Sequence, residues 1–106
     1  MAAAEDANEI VFEPLSSRFQ TKDGEAYIQY ELKDGEQEGK GALDLKSTFV
    51  PPTKRGLGIA PKLAEAAFSY AKEQGLTVIP TCSFISGSFL SKNPHWKEFV
   101  TAAPVV

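Results

Sequence analysis

Apolar and polar positions change period halfway along the chain. "IVFE" at 10–13 is a short run of β type, closed by Pro14 and the Ser16–Ser17 pair. In "SRFQTKDGEAYIQYEL", Asp23–Gly24 is a hairpin turn signal. After it Ala26, Ile28, Tyr30 and Leu32 alternate with Tyr27, Gln29 and Glu31, the pattern of a strand with one buried face. "KDGEQEGKG" at 33–41 reads as a polar turn, and "ALDLKSTFV" at 42–50 places Leu43, Leu45, Ser47 and Phe49 on one face, with Ser47 as its interruption. The first half is therefore expected to be a meander of three to four antiparallel strands.

From Ile59 the spacing becomes helical. Leu63, Ala66, Ala67 and Tyr70 share a side, while Lys62, Glu65, Ser69, Lys72 and Glu73 lie opposite. Pro61 falls in the first turn, where its missing N–H costs little, and Gly75 suits the C-terminal cap. "LTVIPTCSF" at 76–84 is expected as a strand, with burial on both faces at its apolar start. Pro80 cannot donate to a ladder, so that strand is unpaired on one side there, or bulged. "ISGSFLSK" reads as a short helix before "NPHW". The order predicts an α+β (mixed α/β) fold on one sheet.

Length and composition narrow the function classes. A chain of 106 residues fits one domain, with an acidic tail over 1–8 and the domain over 9–106. The net charge of −3, with both signs scattered, argues against general nucleic-acid binding and leaves room for a local basic pocket. No apolar run approaches the ~18–20 residues that a membrane span needs. "MAAAEDANE" lacks the basic start and apolar stretch of a signal peptide and the arginines of a transit peptide, so the expected location is cytosolic, with the nucleus open by diffusion. One cysteine, Cys82, makes no internal disulfide and suits a reducing compartment. Cysteine and histidine are too few for a zinc cluster, and no metal site is expected. The edge at 10–13 allows a monomer or a weak homodimer.

The chemistry concentrates in "FVPPTKRGLGIAPKLAEAAF", residues 49–68. Free amides at a helix start and the helix dipole make an anion site. Gly56 and Gly58 allow close approach to the backbone, and Lys54 and Arg55 supply mobile charge suited to a pyrophosphate or a phosphate. The spacing is neither that of a Walker loop nor that of a dinucleotide fingerprint. By composition alone the segment is equally compatible with an ordinary glycine-rich loop.

Arg55, Gly56–Leu57, Gly58, Ile59, Ala60 resembles the signature of the GNAT superfamily of acyl-CoA-dependent N-acetyltransferases: Arg or Gln, two residues, Gly, one residue, then Gly or Ala. Together with "IPTCSF" and "KNPHW", residues 48–96 resemble a group of very short, single-domain members. The resemblance implies a GNAT-like fold: antiparallel meander, helix, splayed strand and short C-terminal helix. It implies acetyl-CoA, with pyrophosphate on the amides of Gly56, Leu57, Gly58, Ile59 and Ala60, and with Lys54 and Arg55 nearby. The pantetheine arm would pair with the backbone at Phe49 and Val50, with Ser83 and Asn93 on the cofactor side. The acceptor it implies is an amine, either small or polyamine-like, or a protein lysine.

Acetyl transfer needs a neutral amine, a polarised carbonyl and a leaving thiolate. Larger relatives protonate the sulfur with a tyrosine past the last strand, where this chain has Phe84 and Phe89 and no tyrosine after Tyr70. Cys82 is the candidate in its place, as thiol acid or nucleophile; its plainer reading is a small buried apolar residue. Glu25, Glu31 and Asp44 are candidate bases or solvated strand carboxylates. His95 is a proton carrier or a loop residue, and Trp96 reads as a core plug. The resemblance departs at Ser47, where short relatives often carry histidine. A non-catalytic acyl-CoA-binding module is therefore the alternative to an enzyme.

Overall fold

A computed structural model describes residues 7–33 and 41–100. Strands β1 (Ile10–Glu13), β2 (Arg18–Thr21), β3 (Tyr27–Lys33) and β4 (Ala42–Phe49) form an antiparallel meander. A 3-10 turn, Pro52–Lys54, leads to helix α1 (Ile59–Gln74). The chain then returns as β5 (Thr77–Ile79), parallel to β4, so the sheet order is β1-β2-β3-β4-β5. A π-helical stretch Phe84–Phe89 continues into Leu90–Lys92, and the two together are α2; the 3-10 segment Pro94–Phe99 follows. The polar turn expected at 33–41 lies mostly outside the described residues, as does the tail over 1–6.

One face of the sheet carries the core. Phe19, Ile28, Tyr30, Leu43, Leu45 and Val78 meet Leu63, Ala64, Ala67, Phe68 and Ala71 of α1. The alanines let the helix backbone approach the strands closely, and all three are fully buried. Gly75 ends α1 at φ 72°; its N–H donates to Lys72 and that of Leu76 to the Ala71 carbonyl, a Schellman closure. No helix among the described residues is long and apolar enough to cross a membrane.

Two expectations are corrected. Tyr30 stands opposite Leu45 but Gln29 opposite Ser47, so Lys46 is an extra residue on β4, a β-bulge. Beyond it the faces exchange. Ser47 and Phe49 share the outer face with Gln29 and Tyr27, while Thr48, opposite buried Ile28, turns to the core side. Strict alternation had placed Leu43, Leu45, Ser47 and Phe49 together, and a one-residue insertion undoes that. Second, the strand expected over 76–84 stops at Ile79, and only Val78 in it is fully buried. Pro80 ends the ladder, as its missing donor requires.

Candidate functional site

The site begins where β4 and β5 part. Past Pro80, Thr81 N–H donates back to the Ile79 carbonyl and Cys82 N–H reaches the Leu45 carbonyl at 2.9 Å. No ladder partner on the β5 side follows for β4 among the described residues. The hydroxyl of Thr81 donates to Asp44 Oδ1 at 2.5 Å, and Lys33 and Lys46 stand 3.9 and 3.6 Å from Oδ2. Asp44 is therefore the strap that fixes the kinked segment to β4. Of the other carboxylates considered as bases, Glu31 is paired with Lys33 and Lys46 on the outer face, and Glu25 is exposed in the β2–β3 turn.

The loop from Val50 to α1 lies beside this gap. Lys54 N–H donates to the Pro51 carbonyl and Arg55 N–H to that of Pro52. Gly56 and Gly58 then take φ values of 84° and 75°, a region costly for other residues. Gly58 is the N-cap of α1 and offers no side-chain acceptor, and the first turn holds no acidic residue. Among the described residues no protein acceptor is hydrogen-bonded to the amides from Gly56 to Ala60. A Cβ on Gly56 or Gly58 would meet no protein atom within 4 Å, so the space over these amides is open. A concavity of about 150 Å³ lies here, lined by Val50, Lys54, Arg55, Gly56, Gly58, Ile59, Ala60 and Pro61. An uncapped helix start with open space above it suits a phosphate-bearing ligand.

The structure sorts the residues singled out from sequence. Seven of them line the concavity: Val50, Lys54, Arg55, Gly56, Gly58, Ile59 and Ala60. Leu57 projects from the loop, 55% exposed. Phe49 packs with its ring tilted against that of Tyr27 on the outer face. Asn93 Nδ2 donates to the Phe89 carbonyl at the end of α2, and Ser83 is exposed at its start. Arg55 Nε donates to the Val50 carbonyl, which lays its guanidinium along the wall. Lys54, read as a mobile charge, is anchored instead: Nζ donates to Asp23 Oδ2 and Asn8 Oδ1, each at 2.7 Å. Asn8 is thereby docked rather than part of a free tail. Trp96 packs on Phe68 and Phe99, as a core plug should, with its buried Nε1 lacking a partner among the described residues. His95 is exposed against its ring.

Cys82 is half-buried, and its Sγ lies 3.3 Å from Thr48 Oγ1. Sequence reading missed Thr48, because only the bulge at Lys46 turns it toward the core side. Pro61 was placed in the helix but not in the site.

The Asp23 carboxyl is held down to about 2, from an ordinary 3.8, by the Lys54 ammonium first, then by the Thr21 hydroxyl and the Glu25 amide. A depressed folded value means that this link contributes stability above the ordinary value and loses it as pH falls toward 2. The expected result is a urea midpoint whose Asp23-dependent part is flat from pH 5 to 8 and declines between about pH 4 and 2. Asp23→Asn should remove that part of the acid dependence; an unchanged acid limb would rule out the link.

A family model described as GCN5-related N-acetyl-transferase matches residues 18–99, from β2 to the last 3-10 segment. Protein NATD1 of Danio rerio is 42% identical over 60 residues, covering 57% of this chain and 54% of that protein. Protein NATD1 of Homo sapiens is 41% identical over 59 residues, covering 56% and 51%. The chain thus spans about half the length of the curated relatives it matches. The solution structure of a GCN5-like protein from Staphylococcus aureus superposes at TM-score 0.61, with 21% identity and 92% of each chain covered. The crystal structure of a ribosomal-protein-alanine N-acetyltransferase from Brucella melitensis biovar Abortus 2308 gives 0.57, with 14% identity, 84% of this chain and 62% of that one. At these identities the two structures speak for the fold. The sheet that parts at Pro80, the open helix start beside it and the family match over most of the chain lead to one assignment: the chain belongs to the GCN5-related N-acetyltransferase family.

Proposed function

We propose that this domain is an acetyl-CoA-dependent N-acetyltransferase acting on an amine, with a cytosolic location. The observation that carries the reading is the coincidence of two gaps: β4 loses its β5 partner at Pro80, and α1 opens unpaired amides alongside. Acetyl-CoA would bring the acetyl group already activated as a thioester. The chain's own contribution is largely placement. Amides of Gly56 to Ala60 hold the anionic end, aided by the Arg55 guanidinium and the helix dipole. The free edge of β4 offers backbone groups to an extended ligand. Its amides also suit polarisation of a carbonyl oxygen. The amine's proton leaves to water. Cys82, in the segment past Pro80 and 3.3 Å from the Thr48 hydroxyl, supplies a thiol that can protonate the departing thiolate.

No helix of the described residues covers the outer face bearing Tyr27, Ser47 and Phe49. An open face of this kind suits an exposed protein lysine or a polyamine better than an enclosed small molecule.

The test is release of free coenzyme A from acetyl-CoA across a panel of polyamines and lysine peptides. Cys82→Ala is expected to lower turnover at least about 100-fold, the low end of a proton-transfer contribution, with little change in KM. Unchanged turnover removes the thiol from the mechanism. A second reading, an acyl-CoA-binding module without transfer, draws on the tyrosines. Tyr30 and Tyr70 sit in an aromatic cluster with Phe12 and Phe19, and Tyr27 lies under Arg18, its ring centroid 3.7 Å from Cζ. Binding of coenzyme A without transfer to any amine would favour it.

A further inference from the structure

Lys54 stands in the middle of the anion loop, yet its side chain is only 11% exposed. Its ammonium donates to Asp23 Oδ2 and to Asn8 Oδ1, two of the three bonds it can give. Both acceptors come from segments far away in sequence, and both rest on fixed supports. Asp23 Oδ1 takes bonds from the Thr21 hydroxyl and the Glu25 amide, and Thr21 is fully buried in the hairpin end. The segment carrying Asn8 is tied down through Lys22 N–H to Glu9 and Asp23 N–H to Ala7. On the loop side Lys54 closes the 3-10 turn that leads directly to Gly56 and Gly58.

Two glycines at positive φ give a loop many shapes and a large entropy to lose. Amides serve an anion only when they converge, so something outside the glycines must hold them. Arg55 grips Val50 within the loop itself. The charge-assisted tether that joins the loop to the sheet, among the described residues, is the one through Lys54. For the ammonium to meet a phosphate it would have to give up two short bonds at a largely buried position and leave Asp23 without its cation.

We propose that Lys54 is a positioning residue: anchored on Asp23 and Asn8, it braces the Pro51–Gly58 loop so that the amides of Gly56 to Ala60 face the concavity together, and its ammonium does not itself bind the pyrophosphate. The proposal rests on the acyl-CoA reading above. It separates the two cations that the sequence places side by side: both line the concavity, but the Lys54 ammonium is committed to Asp23 and Asn8 while the Arg55 guanidinium is left to the ligand.

The experiment uses the full chain, with Lys54→Met, Asp23→Asn and the pair. Calorimetry measures coenzyme A affinity, and hydrogen exchange without ligand measures protection of the Lys54 and Arg55 backbone amides. Each single variant is expected to weaken coenzyme A about tenfold, and the pair no more than the worse single, because both cut one link. Exchange at the two amides should quicken about tenfold in each, consistent with local opening. Lys54→Arg, which keeps a donor for Asp23, should restore most of both. Asn8→Ala is the milder cut, expected to move both readouts the same way by less, and it serves if Asp23→Asn fails to fold. Asp23→Asn with full affinity, beside a Lys54→Met that has lost binding, would overturn the proposal, since the ammonium would then be the ligand. So would a lowered melting temperature with unchanged affinity and exchange, the mark of an ordinary ion pair. If the unaltered chain takes up no coenzyme A, the acyl-CoA reading fails, and exchange alone decides the brace: faster in Asp23→Asn supports it, unchanged overturns it.

Discussion

Gly58→Glu is expected to remove coenzyme A binding while the domain stays folded. Gly58 holds φ 75° and ψ 22° as the residue ahead of α1, and its missing side chain leaves the amides behind it uncovered. A side chain there would enter open space, so the cost to folding is backbone strain of about 1–2 kcal/mol. The cost to the ligand is larger. A carboxylate over the amides takes up the positive end of the helix and repels an incoming pyrophosphate. Loss of charge-assisted bonds at about 1.5–3 kcal/mol each, with that repulsion, gives an expected drop of at least about 100-fold. Gly58→Ala carries the strain without the charge and should lose far less. Calorimetry with coenzyme A, beside a circular dichroism spectrum to certify the fold, decides it. Normal binding by Gly58→Glu would move the anion site elsewhere.

Phe68→Ala is the largest expected loss of stability. Phe68 is fully buried on α1, its ring 5.5 Å from that of Phe89 and 5.4 Å from that of Trp96. It joins the helix behind the sheet to α2 and to the last 3-10 segment, the elements that follow the parting at Pro80. Truncation removes a large apolar group and leaves a cavity beside an indole N–H that already lacks a partner among the described residues. Phe-to-Ala changes in such sites cost about 3–5 kcal/mol. A domain of this size is stable by roughly 5–15 kcal/mol in all. At about 4–8 °C per kcal/mol, the melting midpoint should fall by roughly 15 °C or more. Trp96 is the only tryptophan and reports the transition directly. A loss below about 1 kcal/mol would mean that the three rings do not form one packed unit.

The division between what residue order announced and what it concealed follows from the range of the forces involved. Local rules recovered α1 with its Schellman end at Gly75, the hairpin at Asp23–Gly24 and the break in pairing at Pro80, though not the end of the strand there, because each depends on a few neighbouring residues. The anion loop was legible for the same reason, since two glycines, two cations and a helix start are contiguous. The strand expected over 76–84 was drawn too long, because the apolar run continues past Pro80 while the ladder that would make it a strand does not. Ser47 and Phe49 were put on the wrong face, because a single extra residue on β4 is invisible to alternation and is defined only against β3.

Residue order suffices for the elements, the family resemblance and the place of the anion loop, since periodicity, glycine and proline act within a few residues. Tertiary structure decided the rest. Pairing of β4 with β3 created the bulge that brings Thr48 to Cys82, 34 positions away. Docking of the hairpin end and of Asn8 against the loop turned Lys54 from a mobile charge into an anchored one. Contacts between distant segments are set by the whole packed sheet, and no local pattern encodes them.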